Sequence, residues 1–201
     1  MKKLVLNLMA ISAIVLLFAG CAKVPEETIT AAQAAVDSAK MAEADRYLPQ
    51  DFMALQDTLK AAMANVEEQK SKFFLSRNYD HAKQMLESVI SGAATLKQNT
   101  ETKKAEVRQA VQDTLAAVQT VLTEDKDLLA KAPKGKEGKA ALEQIQNDIT
   151  VIESSLNEVN TLLTNGDFLT AQDKVNAAKQ KADSINAELK EAYKKAGRRL
   201  P

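Results

Sequence analysis

Tryptophan is absent from this 201-residue chain, cysteine and histidine occur once each, as Cys21 and His81, and aromatic residues make up only 4%. One cysteine excludes an internal disulfide. One histidine and no Glu-x-x-His pair exclude a ferritin-like di-iron arrangement. Metal binding needs several converging ligands, and a catalytic histidine needs a nucleophile and an orienter, so neither has a visible source. Six glycines and four prolines leave few break points. An excess of one charge is also missing: 27 basic residues face 27 acidic ones, which gives no reason to expect nucleic acid, a partner that would want a strongly basic face. Pro133-Lys134-Gly135-Lys136-Glu137-Gly138 lacks the Gly-Lys-Ser/Thr ending of a phosphate loop and follows a helical pattern, not a strand. What is plentiful is alanine, lysine, glutamate, glutamine and leucine, a composition that favours long helices over sheets.

The one long apolar run is N-terminal. Met1-Lys2-Lys3 is followed by almost wholly apolar residues 4–19, shorter than the roughly 20 residues of a comfortable membrane span. It closes with Leu17-Phe18-Ala19-Gly20-Cys21. This ending resembles the lipobox of bacterial lipoproteins, with Leu17 four residues before the cysteine where the pattern usually has leucine three before. The resemblance implies a cleaved signal peptide at 1–20, diacylglycerol on the Cys21 thiol, a palmitate-type acyl chain on the new N-terminus, and residence in the cell envelope. Ala22 and Lys23 follow, without the Asp that retains lipoproteins at the inner membrane, so the outer membrane facing the periplasm is expected. Removing Lys2 and Lys3 leaves 25 basic residues against 27 acidic ones, a formal charge of −2 on 181 residues.

The remainder carries helical seams. Leu142, Ile145, Ile149, Ile152, Leu156, Val159 and Leu163 follow the 3-4 spacing of a heptad, as in a coiled coil. Asn165-Gly166-Asp167 supplies a turn, and Phe168, Ala171, Val175, Ala178, Ala182, Ile185 and Leu189 make the return seam of an antiparallel hairpin. The first half repeats the plan: Phe52, Leu55, Leu59, Ala62, Val66, Gln69 and Phe73, then Tyr79, Ala82, Leu86, Val89, Ala93 and Leu96. The two series are offset by 90 and 89 residues, and the one-residue difference falls in the turn. Residues 49–99 and 139–189 therefore read as an internal repeat.

Each hairpin has a preceding helix. Pro25-Glu26-Glu27 opens the first, with a seam at Ile29, Ala32, Val36 and Ala39; Glu43 holds the next position, so the apolar face continues through Ala42 until Leu48-Pro49 interrupts. Val107, Val111, Leu115, Val118, Leu122 and Leu129 mark the second. Asp125 interrupts that seam and is expected to reach water near the open end of the bundle. Between Leu96 and Val107 the seam lapses, with Thr100 and Lys103 at core positions, yet no glycine or proline compels a break. A helix that is polar all round can bridge two packed units, so one helix from about Asp80 to about Lys131 is expected, on the order of 75–80 Å long. The fold expected is all-α: two tandem three-helix bundles, spectrin-like, sharing one long central helix. Its divisions are a signal peptide at 1–20, a lipidated tether at 21–25, bundles at 26–99 and 107–196, a polar helical connector at 100–106 and a basic tail at 197–201.

Residues 26–98 also resemble a widespread family of bacterial lipoproteins and envelope proteins of unassigned activity. The elements that carry this are the alanine-rich stretch Ala31 to Ala42, the corner Tyr47-Leu48-Pro49, and the turn Asn78-Tyr79-Asp80-His81-Ala82. The resemblance implies an envelope helical module and brings no catalytic residues. Gly166-Asp167-Phe168-Leu169-Thr170-Ala171 looks like the opening of a tetratricopeptide second helix, but these helices are too long for a 34-residue repeat.

The expected function is a non-enzymatic, membrane-anchored helical scaffold, spacer or interaction module. Its expected partners are the membrane, through the lipid on Cys21, and an envelope protein or cell-wall component; no cofactor, metal or catalytic residue is assigned. The alternative is a periplasmic sensor or ligand-binding bundle that signals to a membrane partner, and polar groups lining a pocket between helices would favour it. Two features could carry binding: Phe73-Phe74, expected to cap the bundle core, and the basic stretch Lys194–Arg199. His81 is expected to be a solvent-facing turn residue, and Glu67-Glu68 and Glu124–Asp127 solvated faces.

Overall fold

The computed structural model describes residues 23–132 and 139–200. Residues 1–22, on which the expected signal peptide and the Cys21 lipid site fall, and residues 133–138 lie outside the described residues. The described chain is helical, with no strand: α1 (Glu26–Met41), α2 (Ala44–Tyr47), α3 (Pro49–Ser71), a 3-10 turn (Phe74–Ser76), α4 (Asp80–Ala130), α5 (Lys139–Asn165) and α6 (Phe168–Lys195). α4 covers the span expected of a single helix. The chain divides into two compact units, and the division falls within α4, between Thr102 and Lys103.

In the first unit, Pro25 precedes α1, and Glu26 and Glu27 place negative charge at the positive end of its dipole. Ala32, Val36 and Ala39 are buried, as their spacing predicts. α1 stops sooner than expected, at Met41. Glu43 is left-handed, with φ of 67°, and its N–H donates to the Lys40 carbonyl at 2.7 Å. A side chain in that region costs about 1–2 kcal/mol. The conformation turns the chain so that Ala44 and Tyr47, on the short α2, are buried. Glu43 also accepts from the Arg46 guanidinium at 2.6 Å. Pro49 then occupies the first turn of α3, where a missing N–H is harmless.

Phe52, Leu55, Ala62 and Val66 of α3, with Leu59 partly buried, face Ala82, Leu86, Val89, Ala93 and Leu96 of α4. Small residues let the backbones approach. A Cβ at Gly92 would stand 3.2 Å from Leu55 Cδ1, so this glycine makes room for Leu55. The Lys97 ammonium donates to Ser38 Oγ at 3.0 Å, tying α4 to α1. The seam runs on past Leu96: Thr100 is 0% exposed and its hydroxyl donates to the Leu96 carbonyl at 2.8 Å. The helix is therefore not polar all round at this position, whereas Lys103 is exposed and pairs with Glu106 at 3.2 Å.

The second unit keeps its seams closely. Ile145, Ile149, Ile152, Leu156 and Val159 of α5 are buried, as are Ala171, Val175, Ala178, Ala182, Ile185 and Leu189 of α6, and the seam extends to Tyr193. Between α5 and α6, Gly166 has φ of 81°. The N–H of Asp167 donates to the Leu162 carbonyl and that of Gly166 to Leu163, at 3.0 and 3.4 Å, a Schellman closure that needs a left-handed residue. On α4, Val107, Val111, Val118 and Leu122 are buried and Leu115 is half-buried; beyond Asp125 the buried position is Leu128, with Leu129 only partly covered.

Ile149 is fully buried, so Ile149→Ala is expected to cost about 2–5 kcal/mol. Lys103→Ala, at an exposed site with a surface ion pair, is expected to change stability by no more than about 0.5 kcal/mol. Urea unfolding of the two variants checks this; equal losses would mean that the Ile149 face is not the core.

Candidate functional site

Two places combine unusual chemistry with defined geometry. The first lies in the second unit, where α4 meets α6. Asp125 is 0% exposed, contrary to the expectation that it would reach water. It lies three residues from the buried Leu122 and three from the buried Leu128, on the face they share. Asn186, one position past the buried Ile185, supplies the partner: its Nδ2 donates to Asp125 Oδ1 at 2.7 Å. Asp125 Oδ2 has no hydrogen-bond partner among the described residues. Burial raises the pKa of Asp125 above the ordinary carboxylate range. The Asn186 hydrogen bond opposes that rise; Glu124 and Asp183 add to it, and the Lys190 charge opposes it. Lys190 itself sits 2.8 Å from Glu124, whose pKa its hydrogen bond lowers. One turn further on, the Tyr193 hydroxyl donates to the Leu128 carbonyl at 2.9 Å.

Exposed pairs flank this interior. Lys181 reaches Asp148 at 2.6 Å and depresses its pKa, and Lys126–Glu153 and Lys174–Glu158 link α4 to α5 and α6 to α5. Each is worth about 0–1 kcal/mol at the surface. Between α4 and α5, Gln119, Thr123, Lys126, Glu153, Asn157 and Asn160 line a polar surface groove of about 500 Å³. In the first unit, α3 and α4 flank another of about 440 Å³ over Leu55, Val89 and Gly92.

The second place is the tip of the α3–α4 hairpin. Phe73 fits the α3 spacing, but α3 ends at Ser71 and the ring points out. Phe73, Phe74 and Leu75 are 66, 48 and 65% exposed, so the expectation that Phe73-Phe74 caps the core is wrong. The two rings pack against each other instead, tilted by 57° with centroids 4.6 Å apart. The loop beneath them is well tied. Arg77 donates to the carbonyls of Lys70 and Lys72 at 2.8 and 3.0 Å, satisfying the end of α3. Gln69, buried at a seam position, accepts from the Asn78 N–H at 3.1 Å, and Asn78 Oδ1 accepts from the Asp80 N–H at 2.7 Å at the start of α4.

The remaining sequence candidates are dispersed. His81 is exposed in the first turn of α4. Lys194, Lys195, Arg198 and Arg199 are exposed, the two lysines 4.0 Å from Glu191. Glu67 and Glu68 pair with Lys70 and Lys72 at 2.7 and 3.0 Å. Among the described residues no group of three or more His, Cys, Asp or Glu side chains is placed to hold a metal ion. None of their helices is long and apolar enough to cross a membrane. Asn186 and Arg77 were not singled out in the sequence. A seam aspartate signals that a partner must exist, but not which residue provides it.

Comparison of the chain with protein-family models, with curated proteins and with solved structures finds no match in any of the three.

Because the folded pKa of Asp125 is raised, the folded state holds its proton at pH values where the unfolded chain has released it. This site therefore weakens the fold as pH rises from the unfolded value of about 3.9 through the folded value, the reverse of a salt-bridged aspartate. Asp125→Asn keeps an oxygen acceptor for Asn186 without the charge. It is expected to raise the denaturation midpoint at pH 7, with a gain that shrinks toward pH 4. A loss of stability at pH 7 would show that the carboxylate is required in its charged form.

Proposed function

We propose that this chain is a lipid-anchored protein of the bacterial cell envelope, held at Cys21 and acting without catalysis as a helical scaffold, spacer or interaction module. The observation that carries the reading is the short apolar run closing in Leu17-Phe18-Ala19-Gly20-Cys21. In this reading residues 1–20 are removed, the thiol and new N-terminus are acylated, and the protein resides at the outer membrane facing the periplasm. The body is two tandem three-helix bundles of spectrin-like type that share α4, and the first belongs with the envelope lipoprotein modules it resembles.

The packing supports a structural role. Among the described residues the buried side chains are mostly alanine, valine and leucine, with isoleucine in the second unit, and the buried polar ones are Gln69, Thr100 and Asp125. The burial pattern supports the repeat: Leu55, Ala62, Val66 and Gln69 are buried, and so are Ile145, Ile152, Leu156 and Val159, each 90 residues later. The polar groove between α4 and α5 favours the second reading, a periplasmic sensor or ligand-binding bundle. It opens to the surface over Leu122 and Leu156, and that openness puts this reading second.

Cys21→Ser tests the anchor. The variant is expected to accumulate as an unacylated precursor, visible as a larger mass and as loss of lipid label. A variant acylated and cleaved like the parent would refute the lipoprotein reading.

A further inference from the structure

The hairpin tip and the start of the folded chain lie at the same end of the first unit. Val24 and Ile29 pack against Val66, Tyr79 and Ala82, the side chains just beneath the tip. The field at Lys70 includes Glu26, which places the first turn of α1 beside the end of α3. Three residue steps, about 10 Å at full extension, separate Cys21 from Val24. A membrane holding acyl chains at Cys21 must therefore lie close to this end.

The tip presents to that membrane a surface suited to its interface. Phe73, Phe74 and Leu75 are consecutive, apolar and exposed, in a chain with only five phenylalanines. Isolated exposed apolar residues are ordinary, whereas a contiguous group marks an interaction surface. The tip is also held firmly: Arg77 ties its backbone to the end of α3, and Gln69 anchors Asn78. The nearby ammonium groups of Lys70 and Lys72 are matched by Glu67 and Glu68, so the attraction is apolar and needs no anionic lipid.

We propose that Phe73-Phe74-Leu75 inserts into the interfacial layer of the lipid bilayer to which the chain is anchored. This rests on the Cys21 anchor proposed above. The acyl chains hold the protein at the membrane, and the tip makes a second point of attachment that fixes how the first unit meets the surface. Burying aromatic and aliphatic side chains at the headgroup boundary is the favourable step, as for interfacial helices.

The absence of tryptophan makes the test direct. Leu75→Trp and Phe74→Trp each place one reporter at the tip. Met53→Trp places one at an exposed site near the far end of α3. The full chain, produced and processed in bacteria, is reconstituted in phosphatidylcholine vesicles with and without lipids brominated high on the acyl chain. The tip reporters are expected to shift to the blue and lose most of their emission to bromine, and the Met53→Trp reporter to do neither. Equal quenching at all three sites, or none at the tip, overturns the proposal. A blue shift without quenching also overturns it, and points to a protein surface or a second copy as the occupant. The mass of the N-terminal peptide from the same sample reports the anchor separately. Acylated Cys21 with an unquenched tip removes the insertion and keeps the anchor; a quenched tip with unmodified Cys21 does the reverse.

Discussion

Everything in this fold depends on burying narrow stripes of side chains spaced three and four residues apart. The chain has one cysteine and so no internal disulfide, and aromatics supply little of its core. Stability must come from close helix packing, and the residues that permit it are small. Ala32, Ala39, Ala62, Ala82 and Ala93 are nearly or fully inaccessible in the first unit. In the second, large side chains are buried along α5 and the alanines Ala171, Ala178 and Ala182 along α6, and the two helices pack on each other. Removing methylenes from such a seam leaves cavities the helices cannot readily close, whereas the exposed lysine–acid pairs beside it contribute little.

Among the described residues three polar side chains sit inside these stripes, and each is accommodated differently. Gln69 turns its amide to the loop and accepts from the Asn78 backbone. Thr100 satisfies its hydroxyl within its own helix. Asp125 needs another helix, and Asn186 gives a partner to one of its two carboxylate oxygens. A buried polar group constrains register because a slip would leave it without its partner. Burying Asp125 costs some stability at neutral pH, and its hydrogen bond to Asn186 offsets part of that cost while restricting how α4 and α6 align.

The sequence was most legible where periodicity and turn chemistry agreed. The α5 and α6 seams, the Gly166 turn and the extent of α4 could be read directly, because a left-handed glycine between two heptad runs leaves few alternatives. It was least legible where local backbone geometry decides. Glu43 gives no sign of its left-handed conformation, since it lacks the usual glycine or asparagine. Phe73 fits the spacing of α3 but lies beyond its last turn, and periodicity cannot say where a helix stops. Thr100 reads as polar, yet a threonine that bonds to the carbonyl four residues back is satisfied without water. Asp125 falls on the seam, yet in the sequence its charge points to solvent, because a single sequence does not pair it with a residue 61 positions away.

Thiol reactivity tests most directly whether these stripes are buried as described. With Cys21 replaced by serine, each introduced cysteine is the only one in the chain. Val159→Cys and Thr100→Cys lie at fully buried seam positions, Val151→Cys and Lys103→Cys at exposed ones. The account predicts that a water-soluble thiol reagent labels the exposed pair promptly and the buried pair only on unfolding. Thr100→Cys reacting as fast as Lys103→Cys, or Val159→Cys as fast as Val151→Cys, in the folded protein would contradict it.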